Sequence, residues 1–114
     1  MGKKHIYVNV LGTKYEIITK QGEDDKNLVD ADGYTDYSNR TIVLRAGMGE
    51  DMGDPVAVWK RVLRHEITHA FLLESGLDVC SGSTDCWARN EIMVDWIACQ
   101  MPKVWEAWKS VGAV

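Results

Sequence analysis

His65-Glu66-Ile67-Thr68-His69 sets two imidazoles four residues apart, with a carboxylate directly after the first. On a helix, residues i and i+4 project from one face, one turn apart. Two ring nitrogens so placed can bind one Zn²⁺ at about 2.0–2.1 Å each. Glu66 can then reach a water at the metal and act as general base. The chemistry this pattern offers is metal-assisted hydrolysis. The bland alternative is a solvated, charged helix face, but H-E-x-x-H arises by chance in a chain of this length well under about 1% of the time.

A catalytic zinc site takes three protein ligands and keeps one position open. Downstream, Asn90-Glu91-Ile92-Met93-Val94-Asp95 puts two carboxylates at i and i+4. Glu91 can ligate zinc. Asp95, one turn on, can accept a hydrogen bond from the ring N–H of a ligating histidine and fix its tautomer. A rival closes the site structurally, with Cys80 or Cys86 as a fourth ligand. Five residues separate those cysteines, wider than the usual C-x₂₋₄-C spacing.

Two helices must carry these side chains. Asp54-Pro55 is a helix start, and the spacing predicts a helix from Pro55 to about Ser75, stopped by Gly76. Val56, Trp59, Val62, Leu63, Ala70, Leu73 and Leu77 share one broad side, with Lys60, Arg61, Arg64 and Thr68 opposite. His65 and His69 sit at the margin, and Glu66 points further into the apolar side. A second helix spans Cys86 to Met101, broken by Pro102. Lys103 to Val111 forms a short last helix.

The N-terminal half reads as strands. Residues 4–10 and 14–20 form a hairpin across Leu11-Gly12-Thr13, followed by a polar turn at 21–26. Turn signals flank Tyr34–Tyr37, and Thr41–Arg45 is a third strand, expected to border the cleft and bind an extended substrate. Gly47–Asp54 is an acidic, glycine-rich loop. The expected fold is α+β: one domain over residues 1–114, an antiparallel three-stranded sheet packed against two main helices.

HEITHAF followed by NEIMVD resembles the gluzincin arrangement, H-E-x-x-H on one helix and N-E-x-x-x-D on the next. With the hairpin and the GYTDYSNRTIVL segment, the chain is most similar to the compact ImmA/IrrE-like and phage-encoded zinc peptidases, over residues 33–98. The resemblance implies a small zincin-like metallopeptidase domain with His65, His69 and Glu91 as Zn²⁺ ligands and Glu66 as general base. It makes Asp95 the partner of His65, and Asn90 a support for His69. It also implies a peptide or protein substrate, with a transcriptional repressor as the type of target. The second function it admits is regulatory: an antirepressor-like protein that sequesters its partner without cutting it. No residue matches the oxyanion-stabilising histidine and tyrosine of thermolysin-type enzymes.

A net charge of −4 argues against a nucleic-acid partner, which calls for a basic face. No segment is apolar enough to span a membrane, and the N-terminus lacks the apolar run of a signal peptide, so a cytoplasmic protein is expected. Cys80, Cys86 and Cys99 read as reduced thiols, with Cys99 near Glu91 and Asp95 on the helical wheel but assigned to packing. His5 reads as a surface strand residue, and Tyr34, Tyr37 and Arg89 as candidate oxyanion or substrate contacts. The five tryptophans are expected mostly in the core or at helix contacts, with Trp105 and Trp108, if exposed, a partner surface.

Overall fold

Leu11 and Gly12 take backbone φ angles of 51° and 90° and turn β1 (Ile6–Val10) directly into β2 (Thr13–Lys20). Two consecutive positive-φ residues suit a two-residue hairpin loop between twisted strands. Asn9 secures the turn by accepting the Gly12 N–H at 2.8 Å. The computed structural model describes residues 6–77 and 89–114. His5, Cys80, Cys86 and Trp87 lie outside them, as does the start of the second helix expected from Cys86.

Two short 3₁₀ turns, Gly22–Asp24 and Lys26–Leu28, occupy the polar segment after β2. They lead to β3 (Gly33–Asp36) and β4 (Thr41–Arg45). The sheet runs β1-β2-β4-β3, with β2 and β4 parallel and the other pairs antiparallel. The α+β class therefore holds, but the sheet is four-stranded and mixed, not three-stranded and antiparallel. Gly33–Asp36 carries no apolar alternation that would mark it as a strand. The parallel pairing joins segments far apart in sequence and leaves no local signature.

β4 buries Ile42, Val43 and Leu44 in succession, as a strand covered on both faces does. It lies inside the sheet, so the strand expected at the cleft is not the one there. That place belongs to β3, whose outer edge has no strand partner among the described residues.

α1 (Pro55–Glu74) begins and ends where the sequence predicts. Asp54 accepts the Ala57 N–H at 3.0 Å, and Gly76 follows the Ser75 cap with φ 86°. Its inner side sets Val62, Leu63, Ile67 and Ala70 against a core of Val10, Tyr15, Ile42, Leu44 and Met48. Glu74 anchors the far end of the helix to the hairpin, accepting from the Tyr15 hydroxyl at 2.7 Å and the Thr13 hydroxyl at 3.2 Å.

α2 (Glu91–Ser110) runs straight through Pro102, where a break was expected. Proline has no N–H for the carbonyl four residues back, here that of Ala98. Arg64 on α1 supplies the missing donor, its Nε lying 2.6 Å from that oxygen. Arg64 thus faces α2 and not the solvent side assigned to it. Beyond Pro102 the helix is largely exposed, and Trp59, Trp96, Trp105 and Trp108 are all at least one-third exposed. These four tryptophans are not core residues: no described element covers the outer face and far end of α2, which carry Trp96, Trp105 and Trp108, and Trp59 lies on an exposed side of α1.

Candidate metal centre

α1 and α2 bring together the residues that the two motifs single out. His65 Nε2 lies 3.2 Å from His69 Nε2 and 3.1 Å from a Glu91 oxygen, and His69 Nε2 lies 2.7 Å from the other Glu91 oxygen. One donor atom from each of the three falls within 4.8 Å of the others. A tetrahedral centre with zinc–ligand bonds near 2.0–2.1 Å has edges of about 3.3 Å, so small side-chain shifts would seat an ion. Asp95 Oδ1 stands 2.7 Å from His65 Nδ1. A proton held on Nδ1 by that carboxylate leaves Nε2 with its lone pair, the form a metal ligand requires. Lone pairs of two imidazoles and a carboxylate converging this closely repel unless a proton or a cation lies among them.

Glu66 is the buried polar residue of the described core, 5% exposed. Its Oε2 is 3.9 Å from His65 Nε2. The Thr35 hydroxyl on β3 lies 2.9 Å from both its Oε1 and its backbone carbonyl, with one proton to donate. Burial raises the Glu66 carboxyl above the ordinary value, while the Thr35 hydrogen bond and the two histidines pull it back down. A carboxyl raised in this way is a better proton acceptor once ionised.

β3 approaches closely because of Gly33. A Cβ there would meet the Val43 carbonyl at 2.8 Å and the Val62 side chain at 3.4 Å. The sequence marks Gly33 only as a turn residue and gives no sign of Thr35. Both act through contacts with distant parts of the chain.

Two cavities flank the cluster, sharing Gly33, Glu66 and Glu91. One, of about 400 Å³, is walled by Tyr34, Tyr37, His69, Leu73 and Arg89. The other, of about 360 Å³, is walled by Asp32, Arg61, His65, Asp95 and Cys99. Cys99, assigned to packing, is half-buried and borders the second cavity. Tyr34 donates its hydroxyl to Asp25, and burial followed by that carboxylate raises the phenol's pKa. It presents a ring, not a free hydroxyl, to the cleft. Asn90, expected beside His69, uses its side-chain oxygen to cap α2, accepting the Met93 N–H at 2.9 Å.

No protein-family model, curated protein or solved structure matches the chain. Among the described residues, no helix is long and apolar enough to cross a membrane.

Proposed function

We propose that this chain is a zinc-dependent peptidase of the gluzincin type. The observation that supports it most is the convergence of His65, His69 and Glu91 beside the buried Glu66. The three ligands would hold Zn²⁺, whose Lewis acidity brings water into its nucleophilic range near neutral pH and polarises a carbonyl. Glu66 accepts the proton of the attacking water and returns it to the leaving amine nitrogen. Asp95 keeps the His65 proton on Nδ1 throughout. Thr35 holds the Glu66 carboxylate in place by its hydroxyl.

The substrate lies extended along the outer edge of β3, which adjoins the cluster. Main-chain hydrogen bonds to an unpaired edge supply affinity with little demand on side-chain type. The same edge also favours a second reading, in which a partner such as a repressor is gripped there and sequestered uncut. Glu66→Gln separates the two. The variant should bind zinc as the parent does and cleave a denatured protein substrate about 10²–10⁴-fold more slowly, the range a general base contributes. An unchanged cleavage rate would overturn the mechanism, and partner capture by the parent without new termini would favour sequestration.

A further inference from the structure

Resting on the peptidase reading, we propose that the cavity on the His69 side receives a substrate carboxylate and that Arg89 binds it. Most of the polar groups in this cavity already have partners. His69 and Glu91 belong to the metal cluster, Glu66 accepts from the Thr35 hydroxyl, and the Tyr34 hydroxyl is donated to Asp25. The Arg89 guanidinium and the Tyr37 hydroxyl remain, and neither has a hydrogen-bond or ion-pair partner among the described residues. Both can donate to an anion. The remaining walls, Leu73 and the two tyrosine rings, add apolar surface beside these donors.

Two other arginines are already engaged, Arg45 with Asp32 at 2.5 Å and Arg64 with the Ala98 carbonyl. Glu66 and Glu91 border both cavities, and the opposite one adds Asp32 and Asp95 beside Arg61. The His69 side, where Arg89 meets no carboxylate beyond the shared pair, is the better place for an anion. A guanidinium matches a carboxylate with two parallel hydrogen bonds, which makes the contact directional as well as attractive. The carboxylate can come from an acidic side chain near the scissile bond or from a free C-terminus.

A peptide series distinguishes the two sources. One extended sequence is made with Glu, Gln or Lys at successive positions, each as free acid and as C-terminal amide. Cleavage is measured with the zinc-loaded parent, and binding with zinc-loaded Glu66→Gln. A side-chain site favours Glu over Gln by about 10–100-fold at one position, the range of a charge-assisted hydrogen bond, with acid and amide alike. A terminal site favours free acid over amide by a similar factor, irrespective of the scanned residue. Arg89→Glu should abolish either preference, and Arg89→Lys should keep part of it. Equal binding of all peptides overturns the proposal, as does a preference that survives in Arg89→Glu. Discrimination in binding with no peptide cut leaves the carboxylate site standing and removes the peptidase reading.

Discussion

His65 and His69 leave α1 with side chains 14% and 12% exposed, whereas Glu91 and Asp95 leave α2 with theirs 66% and 68% exposed. The contrast follows from how each helix is held. α1 packs on the sheet core, is tied to the hairpin through Glu74, and is touched at Glu66 by Thr35. α2 buries Val94 and Ala98 and is joined to α1 by Arg64. One half of the site is fixed by the fold before any ligand arrives. The other half consists of exposed carboxylates that are ordered mainly by what they meet, at about 1.5–2 kcal/mol of rotamer freedom for a glutamate.

The largest expected effect tests this asymmetry directly. On the proposed zinc reading, His69→Ala removes a side chain already in place and should weaken zinc binding about 10³-fold or more, since structural zinc sites distribute roughly 10–16 kcal/mol over their ligands. Glu91→Ala removes a ligand that must first be ordered, and water can take its position. Its loss should be nearer 10–100-fold, comparable to changes just outside a ligand shell. Competition against a chelating indicator measures both. Equal losses for the two variants would mean that the exposed half is as preorganised as the buried one.

The same division decides what could be read from sequence. The α1 half was legible because helix spacing is local: Asp54-Pro55 starts the helix, and i,i+4 histidines must share a face. Glu91 and Asp95 were legible for the same reason, and the contact of Asp95 with His65 is found where the motif resemblance implies it. What escaped was non-local. β3 is a four-residue edge strand made visible only by its pairing with β4, and Thr35 matters only because that pairing carries it to Glu66. Pro102 reads as a helix breaker unless one knows that a residue 38 positions earlier, Arg64, satisfies the orphaned carbonyl.

That link sets the next prediction, which sharpens how α2 is held. Arg64→Ala leaves the Ala98 carbonyl without its donor and should destabilise the fold by about 1–3 kcal/mol. Pro102→Ala restores a backbone N–H to the same oxygen. In that background Arg64→Ala should cost visibly less, giving a coupling of about 1 kcal/mol in a double-mutant cycle, followed by urea denaturation. An Arg64→Ala effect of the same size in both backgrounds would show that α2 is positioned by packing alone.

The smallest effect concerns the rigid half and is seen with the metal removed by chelation. Burial raises the Glu66 carboxyl, so the folded protein keeps that proton to higher pH than the unfolded chain, where a glutamate titrates at about 4.3. Between the two values the native state binds more protons, and stability falls as pH rises. The contribution is thus complete below the unfolded value and is lost on passing through the folded one. Glu66→Gln lacks this titration while keeping an oxygen to accept from Thr35. Chelated, it should melt above the parent at pH 7, with the difference closing as the pH falls below 4. A pH-independent difference would place its origin elsewhere than the buried charge. Closure at low pH would show that the buried Glu66 charge on the preorganised helix is an energetic cost to the fold.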